Sequence, residues 1–487
     1  MSRQMSATRR LFLQTGGALT ALGVFGALPR HAGAVGQEPD ITGELARYMA
    51  SAAERSLPAV VVEACKHRIL DTFGAMISGA RLRPGLMAAD YVRRLGGTDE
   101  ASVVATQLRT SAVNAALANA MCAHADETDD FEPVTKAHPG CSSVPAAWAM
   151  AEKNGASGTT FIRAVALGYD VGCRLLMALG PDLVRNAHRS AEGISSTFCA
   201  LGAAAPLAGL DEQRMRFAIS YAAQQVSGLW SWVNDEQHIE KAFDFAGMGA
   251  RNGVMAVTMV ESGMTGTSDA LDGAHNLLVA LSTQPNPKAL VEGLGTRYYV
   301  AETAIKLFSV GYPCQSALDA MLILRQQYGL TPGNVQSILV RVPTDAVGIV
   351  GSSAMPDVNC QHLVAVALLK GAISFADSHD ASLMNDPAVL AIRRKLNLQG
   401  EASLMDPAAP RGAIVTVQRK DGRPVEYHTR FPPGTKENPL SSADVAAKVR
   451  GLIEPVLGST RAEDLIEQIG ELEKLDDVRR LRSILVA

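Results

Sequence analysis

The sequence predicts a mainly α protein: a large all-helical domain with a smaller α+β lid domain. Three observations predict it. Hydrophobic residues make up 47% of the chain but aromatic residues only 5%, so the core is built from Ala, Leu, Val, Ile and Met, which suit close helix packing. Apolar residues recur at helical spacing from residue 40 to about 300. Beyond 300 the texture changes to short runs of β-branched residues. At 487 residues the chain exceeds what one small core fills, so more than one domain is expected.

The elements follow in order. Residues 1–34 read as a twin-arginine export signal. Thr8-Arg9-Arg10-Leu11-Phe12-Leu13-Gln14 carries the arginine pair, Leu11 to Leu28 is moderately apolar, and Ala32-Gly33-Ala34 offers small residues for cleavage near Val35. A periplasmic location is therefore expected. Removing the four arginines of this segment leaves 41 basic residues against 49 acidic ones, a net charge near -8. No long basic run exists, which argues against a nucleic-acid partner, and every later apolar run is too short or too interrupted to enter a membrane.

Ile41, Leu45, Tyr48, Met49 and Ala52 begin the helical domain, expected over residues 40–300. Leu57-Pro58 breaks that helix, and Pro58 opens the next, which carries Cys65, Ile69, Phe73 and Met76. Ser111 to Ala123 and Phe161 to Leu179 read as further helices. In the second, Gly168 and Gly172 share a face and admit a close neighbour. Thr197 to Leu210, a run dominated by small apolar residues, reads as a helix buried on every side.

The lid is expected over residues 301–433. Val335 to Val342 reads as a strand, and Ala413 to Val417 with Val425 to Phe431 as a hairpin turning at Asp421-Gly422. Helices are expected at His362 to Phe375 and Pro387 to Leu396. Residues 434–487 then return as helices to the first domain. Capping boxes are expected at Ser441 to Asp444 and Thr460 to Glu463, with a stripe of Leu465, Ile469, Leu472 and Leu475. The seven cysteines form no C-x-x-C pair, so their spacing suits neither zinc nor an iron–sulfur cluster; most read as core thiols.

The densest polar cluster runs from His124 to His138 and holds five acids and two histidines: Asp126, Glu127, Asp129, Asp130 and Glu132 between the two rings. Its residue types admit a metal site, a site for moving protons at carbon, or a solvated acidic loop. A second cluster, His188-Arg189-Ser190-Ala191-Glu192, precedes the small-residue helix, where anions are favoured or where a serine simply caps. Lys241 lies among aromatic residues ahead of a glycine-rich helix; a surface ion pair with Glu240 is the alternative. Lys306 and His362, taken singly, read as ordinary residues.

In order along the chain, these segments resemble the 2-methylcitrate dehydratase (MmgE/PrpD) family. The stretch from Asn119 to Asp130 followed by His138-Pro139 is similar to the family's N-x-x-x-x-H-x-x-D-x-D-D and H-P signatures. Ser157-Gly158 through Phe161, Ala164, Gly168, Tyr169 and Asp170 follow another, as do Lys241 to Gly253 and Asn438-Pro439-Leu440-Ser441 with Asp444 and Lys448. The resemblance covers essentially everything after residue 40. It implies a helical domain with a lid, a homodimer, no metal and no organic cofactor, and a small di- or tricarboxylate substrate. It places His138, Lys241 and Lys306 among active-site residues. Two departures stand out. Glu127 replaces an Asp, and Glu192 aligns with a second active-site His, with His188 four residues upstream. His362 falls where relatives often carry a lid Tyr.

Removing water from a β-hydroxy carboxylate needs a base for a weakly acidic α-proton, an acid for the leaving hydroxyl and cations for the carboxylates. The expected catalytic set is His138, Glu127, Glu192, Lys241 and Lys306, one of the glutamates having a pKa raised by burial. The expected substrate-binding set is His188, Arg189, His362 and Asp130, with His138 and Lys241 facing Lys306 and His362 across one cleft. Epimerisation, and carboxylate binding without catalysis, are the competing readings.

Overall fold

In the computed structural model, residues 39–487 are described, so the twin-arginine segment lies outside the described residues. The first elements form as the periodicity predicts. The Ile41–Ala50 helix is capped by Asp40, whose carboxylate accepts from the Gly43 N–H, and the Ala59–Gly79 helix starts directly after Pro58. Ser111 caps the Ala112–Ala123 helix, Ser157 caps Gly158–Leu179 and Ser190 caps Ala191–Ala204, each through its hydroxyl oxygen.

The Ala191–Ala204 helix is buried along its whole length. It packs closely against Gly158–Leu179, where two glycines allow the fit. A methyl group on Gly168 would lie 2.8 Å from the Cys199 carbonyl oxygen, and one on Gly172 would strike Cys199 Sγ. Side chains from Ile41 to Ile305 build one large apolar core, and Val445, Val449, Ile453, Leu465 and Ile469 of the tail join it.

A second core gathers side chains from Val310 to Val417. It packs against a four-stranded sheet ordered Leu396–Glu401, Val335–Pro343, Ala413–Arg419, Pro424–Thr429; the first pair is parallel and the others antiparallel. The expected hairpin is present, turning through Asp421 and Gly422, the latter at φ +81°. Three expectations need correction. The Pro387–Arg393 helix stops short of Leu396, which opens an edge strand instead. The Cys360–Lys370 helix ends at Gly371, φ +83°, and Ser374 starts a separate short helix, Phe375–His379. At Thr460 no capping box forms, because Ser459–Gly470 begins directly after Gly458 with no side-chain cap; the box at Ser441 and Asp444 does form.

Asp40–Ala487 is one compact unit. All seven cysteines are buried and unpaired. Among the described residues no helix is long and apolar enough to cross a membrane.

Candidate active site

The Ala112–Ala123 helix ends at His124, and the chain crosses the protein's interior before the Gly140–Asn154 helix begins. Every acid in this stretch is buried: Asp126, Glu127, Asp129, Asp130 and Glu132. A solvated acidic loop is thereby excluded. Burying so many carboxylates requires a partner for each, and most partners are local. Ser78 donates to Asp126 at 2.6 Å, Thr135 bonds Glu132 through its hydroxyl and its N–H, and Tyr169 Oη donates to Asp130 at 2.6 Å.

Glu127 and Asp129 are served from farther away. Glu127 sits at φ +56°, a conformation that costs a β-carbon-bearing residue energy and clusters at functional sites. Its carboxylate contacts Lys241 Nζ closely and lies 3.2 Å from Lys306 Nζ. Lys306 also donates to the Glu127 carbonyl at 2.9 Å, and it is fully buried. A two-way backbone bridge between Phe131 and Ala304 delivers Lys306 to this point. Lys241 comes from the short Ile239–Ala242 helix, which continues through a π-helical turn, Phe243–Gly247, into Met248–Glu261. Such turns recur at functional sites. Its ammonium lies 5.2 Å from the centres of both the Trp232 and Phe245 rings.

Asp129 organises two imidazoles. One oxygen accepts from His124 Nδ1 at 2.9 Å and from His138 Nδ1 at 3.0 Å; the other is 3.5 Å from Lys306 Nζ. A carboxylate only accepts, so both rings carry a proton on Nδ1, and in the neutral ring Nε2 is left bare. Among the described residues no protein group bonds His138 Nε2, and His138 lines a narrow cavity of about 50 Å³ with Glu127, Arg185, Glu192, Trp232 and Lys241. A wider recess of about 380 Å³ shares Trp232, Lys241, Ile349 and Val358 with it.

The charge states correct one expectation. Burial works to raise Glu127, but Lys241 and Lys306 hold it well below the usual carboxylate range. Burial likewise opposes ionisation of Asp129, yet His124, His138 and Lys306 hold it well below. Glu127 is therefore a fixed anion in this arrangement, not a glutamic acid primed by burial. Lys306 is pushed up despite its burial by Asp129 and Glu127. His124 and His238 are lowered, chiefly by burial, so both are neutral near pH 7.

Of the residues expected from sequence, His138, Glu127, Glu192 and Lys241 line one cavity, and Lys306 stands directly behind it. Glu192 is paired with Arg185 by a short ion pair. The other four, Asp130, His188, Arg189 and His362, do not line this cavity. Asp130 is spent on the Tyr169 hydroxyl and the Gly140 N–H, 2.9 Å away, at the start of a helix. His188 is exposed and lies outside the cavity lining. Arg189 donates to the Leu281 carbonyl at 3.0 Å. His362 is buried in the second core, neither ring nitrogen has a partner, and burial pushes its pKa down to about 4. The structure also brings in groups that sequence reading missed: Asp129 as the common acceptor, Arg185, and His238, whose Nε2 is 3.7 Å from Glu127. Asp129 was visible inside the motif, whereas Arg185 and His238 carried no spacing signal.

His124, Glu127 and His238 offer atoms within 4.8 Å of one another, a spacing compatible with an ion. The donor chemistry does not suit one, since both Glu127 oxygens already face ammonium groups.

Comparison with known proteins supports a family assignment. Residues 43–290 match the MmgE/PrpD N-terminal domain and residues 308–474 the MmgE/PrpD C-terminal domain. The chain is also similar to the cis-aconitate decarboxylase-like protein oryM of Aspergillus oryzae, 23% identical over 478 residues that span 92% of this chain and 98% of that one. With both domains matched over most of its length, the chain belongs to the MmgE/PrpD family.

Proposed function

We propose that this protein is a cofactor-independent lyase, of the dehydratase type, acting on a small di- or tricarboxylate. The observation that carries the reading is His138: Asp129 holds its Nδ1 proton, and its bare Nε2 faces a cavity edged by Lys241 and Arg185. A base oriented in this way beside two cations matches removal of a proton α to a carboxylate, with the developing negative charge stabilised at short range. Glu127, itself held by Lys306, keeps Lys241 aligned until a substrate carboxylate competes for its ammonium. The second core supplies Ile349 and Val358 to the cavity wall and acts as the lid. A cavity of about 50 Å³ holds waters but not a citrate-sized acid, so substrate enters with the lid displaced.

Loss of carbon dioxide is the second reading. His138 is an imidazole in the cavity that is not paired with a cation, whereas Glu127 and Glu192 both are, and decarboxylation needs a single proton carrier. The name of the Aspergillus oryzae relative points the same way.

The test is an NMR time course with 2-methylcitrate, citrate, cis-aconitate and amino-dicarboxylates. Appearance of an alkene with water loss identifies the dehydratase, and loss of a carboxylate the decarboxylase. His138→Ala is expected to slow either by roughly 10²–10⁴-fold. Wild-type protein inert toward the whole panel, or an unimpaired His138→Ala variant, would refute the reading.

A further inference from the structure

Three titratable groups beside the cavity have no part in the chemistry above: His238 and Asp357, which are buried, and His379, which is half-buried. His238 Nε2 lies 3.7 Å from Glu127 Oε1, and its Nδ1 lies 4.0 Å from Asp357 Oδ2. Asp357 Oδ2 is in turn 3.8 Å from His379 Nε2. His379 is 13% exposed at its side chain, whereas His238 and Asp357 are each at 7%. The groups thus form a file from the rim to the sealed carboxylate of Glu127, with His379 Nε2 held in place by the Asp126 carbonyl oxygen 3.0 Å away. Two features show that this is not ordinary packing. His238 holds φ +60°, unusual for a residue with a side chain. Its Nε2 is also buried with no hydrogen-bond partner, a costly state for a core histidine with nothing to do.

We propose that Asp357 and His238 are a proton relay that loads Glu127 when substrate binds, making Glu127 the acid for the leaving hydroxyl. This rests on the dehydratase reading of the same site. A substrate carboxylate takes the Lys241 ammonium away from Glu127. The carboxylate, now short of one cation, takes the proton from His238 Nε2, and Asp357 replaces it at Nδ1. His138 removes the α-proton, the C–O bond breaks with its electron pair on oxygen, and Glu127 protonates that oxygen as water leaves. To reset, His138 releases its proton, one re-enters at His238 Nε2 from the cavity side, and Nδ1 returns its proton to Asp357, which restores the starting tautomer.

The charge states are in the required order. Burial raises Asp357, so it holds a proton more readily than an ordinary aspartate. Burial and Lys241 keep His238 neutral. The anion of Glu127 at Nε2 favours the tautomer with its proton there, leaving Nδ1 to accept from Asp357. The groups facing His238 are Glu127, Lys241, His124, Asp129 and Asp357; those facing Asp357 are His238 and His379, with Glu127 and Lys241 beyond. The gaps exceed hydrogen-bond length by under about 1 Å, within reach of a small shift or a bridging water.

Two measurements decide it. In D₂O with 2-methylcitrate and citrate, α-hydrogen exchange reports His138, and alkene formation reports the acid step. Asp357→Asn and His238→Gln are expected to keep exchange within about threefold of wild type while alkene formation falls by roughly 10-fold or more, with the acid limb of its pH profile displaced. Asp357→Glu is expected to recover much of the loss. Exchange and alkene formation falling together would reduce both residues to scaffolding, and no loss in either would also overturn the relay. Wild-type protein that neither exchanges nor eliminates would instead sink the lyase reading. The second measurement needs no substrate: ¹⁵N spectra of histidine-labelled protein, with His238→Gln for assignment. A neutral His238 protonated at Nε2 near pH 7 is expected, and an imidazolium or an Nδ1 proton would overturn the relay.

Discussion

Lys241 and Glu127 hold each other in place, yet they are expected to fail differently when changed. Lys241→Ala removes the ammonium that a substrate carboxylate would meet, while Lys306 remains 3.2 Å from Glu127 to keep that carboxylate paired. The expected outcome is a KM raised on the order of 10–100-fold, the equivalent of one charge-assisted contact of about 1.5–3 kcal/mol, with a smaller change in kcat. Steady-state kinetics check this; a large kcat loss at unchanged KM would count against a binding role. Asp130 carries a different prediction. Burial pushes it up to about 7 from an ordinary 3.8. A carboxyl raised on folding contributes stability that is fully present below about pH 4 and is lost as pH rises through 7. Asp130→Asn keeps an acceptor for Gly140 and a partner for Tyr169 without titrating. Between pH 4 and 8, wild type is therefore expected to lose on the order of 4 kcal/mol more than the variant. Denaturation series at several pH values test it, and parallel curves would refute it. At this scale the motif made Glu127, His138 and Lys241 legible in the sequence. His188 and His362 misled, because alignment supplies a position along the chain and not the direction of a ring.

Among the elements, the contact between the Gly158–Leu179 and Ala191–Ala204 helices matters most to the site, since Glu192 lies in the first turn of the second. Gly168→Ala forces a methyl group to within 2.8 Å of a backbone carbonyl and 2.9 Å of the Ala203 side chain. Backbone yields poorly, so a loss of about 1–3 kcal/mol is expected in chemical denaturation; an equally stable variant would mean that the helices part without cost. The tail helix Ser442–Leu457 also reaches the site. Lys448 pairs with Asp71 at 2.6 Å and donates to the Thr128 carbonyl at 3.0 Å, bracing the loop that carries Glu127 and Asp129. Helices and the hairpin were legible because their periods and turn residues act locally. The Leu396–Glu401 strand was not: Leu-Asn-Leu-Gln-Gly-Glu has little strand preference of its own and is recruited by the open edge of Val335–Pro343.

For the molecule as a whole, charge poses a problem that the site resolves. With residues 1–34 removed the net charge is near -8, which repels an anionic substrate at long range. Lys136, Arg185, Lys241 and Arg411 all line the cavity and outnumber the three carboxylates to which they donate hydrogen bonds, Glu127, Glu192 and Asp345. Export is a separate expectation of the N-terminal motif. Changing Arg9→Lys and Arg10→Lys together is expected to leave precursor in the cytoplasm, read by fractionation and immunoblot; normal processing of the double variant would refute it.

Periodicity and caps were enough for the mainly helical architecture, the hairpin at Asp421-Gly422 and the return of the tail, because each depends on neighbours within a few residues. Residue types and their order were enough for the family and for the loop that carries the site. Only the tertiary structure decided what that loop can do. With no substrate bound, Glu127 is an anion because Lys241 and Lys306, 114 and 179 residues away, converge on it. His138 presents a bare nitrogen because Asp129 accepts from its other one. Charge state in a buried site is set by the total field of groups that only folding brings within a few ångströms, and spacing along a chain does not encode that sum.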